Sequence, residues 1–140
     1  MIAYFDTSAL IPILVAEPGS RRTAALWEAA DRVASVGLIY PEARVALAQA
    51  HRLGRLTTRQ LRDAVRGLDA RCEQIDVIEI DAQLTWRAGE LAESHHLRSY
   101  DAVHLAGADR LRDPELVLVA GNGALLHAAM AEGMAVATLT

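Results

Sequence analysis

The sequence predicts a three-layer α/β fold built on a central parallel sheet of about five strands flanked by helices, and three observations lead there. Five short apolar runs, Ile2 to Phe5, Val33 to Val36, Val77 to Ile80, Leu116 to Ala120 and Ala135 to Leu139, have the length of buried strands. Helical patterns fill the intervals, and strands alternating with helices pair in parallel through right-handed crossovers. Apolar residues make up 52% of the chain but aromatics only 4%, so the core is packed from Ala, Leu, Val and Ile, which suits helices lying on a sheet better than a β-sandwich. A chain of 140 residues is the size of one domain, expected to span 1–140.

The helices follow in order. Thr7 or Ser8 can cap a first helix carried by Ala9, Leu10, Ile13 and Leu14. Ser20 precedes an amphipathic segment from Arg21 to Ala30, and the Ala/Leu spacing from Pro41 to Leu53 gives a helix that stops at Gly54. Thr57 or Thr58 starts another through Glu73, Asp81 caps one through His95, and Ser99 caps one through Leu111. Two helices therefore stand in succession between Val36 and Val77, a larger excursion than a simple βαβ unit. Pro12 and Pro41 fit the first turns of their helices, where a missing amide costs little; deeper placement would bend them.

Composition removes several functions. A net charge of −4 and a pI near 5.7 argue against a broadly basic nucleic-acid-binding surface. All fourteen basic residues are arginines. Without lysine there is no P-loop, and the receiver domains and haloacid-dehalogenase-type phosphatases that rely on one are disfavoured. Cys72, the only cysteine, permits neither an internal disulfide nor a cysteine-based zinc site and reads as a helix thiol. No basic leader with a long apolar run and no membrane-length apolar segment is visible, so a soluble, cytoplasmic protein with no membrane partner is expected.

Three acids stand in similar surroundings. Asp6 follows the first strand, where open α/β sheets bind ligands; by itself it could be no more than a cap or turn residue. Glu42, in Pro41-Glu42-Ala43-Arg44, and Asp101, in Tyr100-Asp101-Ala102-Val103-His104-Leu105-Ala106, lie in otherwise apolar helix starts. A carboxylate among core-forming residues needs an arginine, backbone amides or a metal. Three converging above the strand ends would repel one another unless a cation neutralised them, and oxygen ligands suit Mg²⁺ or Mn²⁺. Such ions polarise phosphodiesters and activate water.

Asp6-Thr7-Ser8-Ala9-Leu10, Glu17-Pro18-Gly19-Ser20, Pro41-Glu42-Ala43-Arg44 and Tyr100-Asp101-Ala102-Val103-His104-Leu105-Ala106, in that order over nearly the whole chain, together resemble a PIN-domain ribonuclease of the VapC toxin type. The resemblance implies an endoribonuclease dependent on Mg²⁺ or Mn²⁺, inhibited by a cognate VapB antitoxin and able to self-associate as a homodimer. It makes Asp6, Glu42 and Asp101 the catalytic carboxylates, with Asp6 and Asp101 on the metal and Ser8 in support, although Ser8 also reads as a helix cap. The family commonly carries a fourth acid in a stretch aligned with Ala120-Gly121-Asn122-Gly123-Ala124-Leu125, so Asn122 stands at the acidic position. Its amide can ligate but adds no charge. Asp109 is a poor replacement, eight helical residues and about 12 Å from Asp101.

Other candidates have plainer roles. His104 could share the helix face of Asp101, but a packed or hydrogen-bonded histidine is the simpler reading. His95-His96 reads as a helix end, Arg44 could pair with an acid, Arg98 could meet RNA phosphate, and Trp27 and Trp86 read as core. The competing functions are a PIN-like RNA- or antitoxin-binding module weakened at Asn122, and a small-molecule phosphohydrolase.

Overall fold

The computed structural model describes residues 1–140. The chain runs β1 (Ile2–Phe5), α1 (Thr7–Leu14), α2 (Ser20–Ala29), β2 (Arg32–Val36), α3 (Ile39–Arg52), α4 (Thr58–Cys72), β3 (Ile75–Ile78), α5 (Ala82–His95), α6 (Ser99–Leu111), β4 (Leu116–Val119), α7 (Gly123–Ala131) and β5 (Ala135–Ala137). All strand pairs are parallel, in the order β3-β2-β1-β4-β5. The winding moves outward from β1 to β3, then returns to the other side for β4 and β5. Because crossovers are right-handed, that reversal sends α1–α4 to one face of the sheet and α5–α7 to the other.

Alternation along the strands feeds both layers. Ala3, Phe5, Val33 and Val119 point into the core beneath α1–α4, while Tyr4, Ala34, Val36 and Leu118 point into the core beneath α5–α7. Trp27 lies edge-on to Phe5, ring centroids 5.2 Å apart, as a core residue should. Trp86 corrects the sequence expectation, being 77% exposed. Leu84, Ala88 and Leu91 make the buried stripe of α5, and Trp86 falls on the outer side of that helix.

The third strand lies two residues earlier than the apolar run suggests. Val33 to Val36 pair with Ile75 to Ile78, and the register leaves Val77 exposed, while Ile80 falls beyond the strand and is exposed as well. An edge strand buries only part of its apolar sequence, so the run misplaces it. β5 is also shorter than expected, ending at Ala137. Leu139 beyond it packs where Gly19 and Gly121 lack side chains; a Cβ on Gly121 would come within 2.7 Å of the Leu139 Cδ1. Pro41 is the third residue of α3, where its missing amide costs nothing, but Pro12 is not in a first turn as expected: it is the sixth residue of α1, two before the helix ends.

Candidate active site

Strand order reverses between β1 and β4, and in open α/β sheets the crevice beyond the carboxyl ends at such a point is where ligands bind. Asp6 stands there. Its amide donates to the Val119 carbonyl of β4 at 3.1 Å, which fixes its backbone at the sheet edge. Asp6 itself caps α1, a role the sequence offered to Thr7 or Ser8. Its Oδ2 accepts from the Ser8 amide at 3.3 Å and from the Ser8 hydroxyl at 2.6 Å. Ser8 Oγ in turn accepts the Gly121 amide at 2.9 Å, so Ser8 ties the carboxylate to the loop after β4. Relieved of capping, the Thr7 hydroxyl donates to Glu42 Oε1 at 2.8 Å.

Glu42 lies in the first turn of α3, where the helix dipole favours an anion. The same Oε1 lies 2.7 Å from His104 Nε2, and Asp6 Oδ1 lies 3.4 Å from that nitrogen. His104 is fully buried; its Nδ1 is 2.9 Å from the Tyr4 hydroxyl, and the two rings meet edge-on. Burial pushes the Tyr4 phenol far above its ordinary range, with the Asp6 and Glu42 carboxylates adding to the rise, so it stays protonated. Asp101 is one turn before His104 on α6, 8% exposed, in the first turn and 3.3 Å from Arg98 Nε.

The fold thus ties Ser8 to the Asp6 carboxylate, hydrogen-bonds Thr7 and His104 to Glu42, and holds Asp6 Oδ1 3.4 Å from the same His104 nitrogen, with Asp101 one turn before His104 on α6. Asn122 is committed elsewhere. It caps α7, with Oδ1 accepting from the amides of Ala124 at 3.0 Å and Leu125 at 3.4 Å, while its neighbour Gly121 makes the link to Ser8. His104 and Thr7 were missing from the sequence-derived set. The i,i+3 spacing from Asp101 was the available signal for His104, but an apolar helix start hides which polar group it meets.

The remaining candidates divide cleanly. Arg44 pairs with no acid; it donates to the Tyr40 hydroxyl at 3.0 Å and lies over that ring. Arg98 pairs with Asp101. His95 ends α5 as expected, 2.8 Å from Glu132. Asp109 is held by Arg87 and Arg112, which commits it to a structural ion-pair cluster.

No group of three His, Cys, Asp or Glu side chains is preassembled to hold a metal. The donor chemistry nonetheless fits a hard divalent cation. Asp6 and Asp101 are oxygen donors almost withdrawn from water, and Glu42 Oε2 has no protein partner. Beside Glu42 lies an apolar recess of about 360 Å³ lined by Leu38, Pro41, Val45 and the exposed Tyr100.

Residues 3–122 match the PIN domain family. The chain is 41% identical over 136 residues to Ribonuclease VapC45 of Mycobacterium tuberculosis (strain CDC 1551 / Oshkosh), covering 97% of this chain and 94% of that protein. Ribonuclease VapC49 of the H37Rv strain of that organism shows the same identity and coverage. Among solved structures, PAE2754 from Pyrobaculum aerophilum shares the fold with a TM-score of 0.70 at 23% identity, covering 99% of this chain and 84% of that one. VapBC2 from Rickettsia felis, solved bound to a promoter DNA fragment, superposes with a TM-score of 0.66 at 15% identity, covering 99% of this chain and 98% of that one. With Asp6 at the switch point of a parallel sheet and these relatives over nearly its full length, the chain belongs to the PIN-domain family, alongside the VapC ribonucleases.

Proposed function

We propose that the protein is a divalent-metal-dependent endoribonuclease acting in the cytoplasm as the toxin of a VapBC-type pair. One observation carries the reading: Asp6 and Glu42 approach the same His104 nitrogen at the sheet's switch point, with Asp101 one turn before that histidine on α6, in a chain 41% identical to a VapC ribonuclease. Asp6 and Asp101 would hold Mg²⁺, or Mn²⁺, and such a cation supplies charge neutralisation at the scissile phosphate and a more acidic bound water. Ser8 braces the Asp6 carboxylate from the β4 side, and Glu42 offers its free Oε2 to water or cation. Asn122 adds no charge, which favours a single cation completed by substrate oxygens over a pair. The exposed Tyr100 beside the apolar recess suits an unpaired base of a single-stranded segment.

A chain without a basic surface binds RNA locally, through arginines around an acidic, cation-loaded centre. The same acidic centre suits inhibition by a VapB-type antitoxin that inserts an arginine. A homodimer accords with the family. The test is cleavage of total RNA by purified protein with Mg²⁺ or Mn²⁺, against Asp6→Asn and Asp101→Asn. Each variant should lose at least about 100-fold in rate. Full activity in both would place the chemistry elsewhere.

A second reading, a binding module weakened at Asn122, is favoured only by the commitment of that amide to capping α7. Efficient cleavage by the unaltered protein excludes it.

A further inference from the structure

His104 has a partner on each ring nitrogen, and the carboxylates at one of them decide which nitrogen carries the proton. The Ser35 hydroxyl donates to the Phe5 carbonyl at 2.7 Å and does not compete for the imidazole. The Tyr4 hydroxyl lies 2.9 Å from His104 Nδ1 on the inner side of the ring. Nε2 faces two carboxylate oxygens, Glu42 Oε1 at 2.7 Å and Asp6 Oδ1 at 3.4 Å, which accept and do not donate, so the ring's N–H sits on Nε2 and donates to Glu42, leaving Nδ1 to accept from Tyr4. Thr7 donates to the same oxygen at 2.8 Å. Oε1 is thereby filled and Oε2 left without a protein partner.

The packing behind the imidazole makes this geometry rigid. Gly107, one turn after His104, presses α6 against β1 and β2. A Cβ there would lie 2.9 Å from the Tyr4 hydroxyl and 2.6 Å from Val36 Cγ1. A histidine serving only to fill the core would need no carboxylate; this one reaches out of the core to a side chain at the sheet edge. We propose that Tyr4 and His104 form a positioning relay that fixes the Glu42 carboxylate, anchoring Oε1 and presenting Oε2 to cation or water. The relay rests on the nuclease reading above. His104 is a positioning residue in it, acting through Glu42.

Four variants test the relay: His104→Gln, whose amide can still donate to Glu42; His104→Leu, which cannot; Tyr4→Phe; and the Tyr4→Phe/His104→Leu pair. RNA cleavage is measured as kcat and KM, Mn²⁺ binding to the free protein by calorimetry, and folding by thermal melting. His104→Leu should lower kcat by about 100-fold with little change in KM, and weaken Mn²⁺ binding by about tenfold. Tyr4→Phe should cost about tenfold, and the double variant should be no worse than His104→Leu. His104→Gln should keep kcat within about fivefold of the unaltered protein.

Losses that multiply in the double variant, or an equal fall in His104→Gln and His104→Leu at matched melting temperatures, would reduce His104 to a structural residue. If His104→Leu fails to fold, the contrast between His104→Gln and Tyr4→Phe still decides. An unaltered protein that cleaves no RNA defeats the nuclease reading; the Mn²⁺ titrations then settle the relay, and unchanged affinity in His104→Leu and Tyr4→Phe defeats it too.

Discussion

Asp6 does two things with one carboxylate. Its Oδ2 caps α1 through Ser8, and its Oδ1 faces His104 at the sheet edge. Asparagine caps a helix about as well as aspartate, so Asp6→Asn separates the roles. Thermal melting should move little while RNA cleavage is lost. A large drop in melting temperature would mean that the charge itself holds the sheet edge together. Asn122 gives the converse case. Replacing it with alanine removes two hydrogen bonds at the start of α7 and should cost about 1 kcal/mol in urea unfolding. Asn122→Asp retains the cap and adds a negative charge next to the Gly121 link to Ser8; calorimetry should show tighter Mn²⁺ binding than in the unaltered protein.

At the scale of elements, α6 carries both the site and its precision. Its first turn holds Asp101, its second His104, and Gly107 in the next allows the helix to lie directly on β1 and β2. Gly107→Ala would force a methyl group against Val36 and Tyr4, and overpacking of this kind costs about 1–3 kcal/mol. The expected outcome is a lower unfolding free energy together with reduced cleavage, since the Tyr4 ring that yields is the one holding His104. Unchanged stability would show that the sheet can slide away from α6. Sequence periodicity located α6 within a residue but not this close approach, because a glycine in an apolar helix reveals nothing about what faces it. It also misplaced β3, whose pairing register with β2, and not its own apolar run, sets which residues are buried.

Across the whole molecule, an ion-pair cluster joins α5, α6 and the end of α7. Arg87 contacts Asp109 at 3.1 Å and Glu132 at 3.0 Å, Arg112 contacts Asp109 at 2.6 Å, and His95 contacts Glu132 at 2.8 Å. Burial alone would raise the Asp109 carboxyl, but the Arg112 and Arg87 guanidinium groups outweigh it and hold it below its ordinary value of 3.8. A carboxylate depressed in the folded state stabilises the protein above the unfolded value, and that contribution disappears as the pH falls through the folded one. Asp109→Asn should therefore cost about 1–3 kcal/mol in urea unfolding at neutral pH. The difference from the unaltered protein should close in acid, below the ordinary aspartate value of 3.8. A gap independent of pH would assign the loss to packing.

The sequence by itself determined the alternation of strands and helices and the parallel sheet, and singled out Asp6, Glu42 and Asp101 as candidates, because strand length, helical spacing and a carboxylate's cost of burial are local properties. Only the tertiary structure decided what those acids meet. Tyr4 and His104 are one hundred positions apart, and His104 and Glu42 sixty-two. Their encounter depends on β1 lying at the centre of the sheet with α3 on one face and α6 on the other. Trp86 and Asn122 show the same limit, since which side of a helix faces the sheet, and which amides a side chain caps, are settled by packing. Asp6 is legible from sequence because it ends a strand; the imidazole beside it is legible only once the two layers close on the sheet.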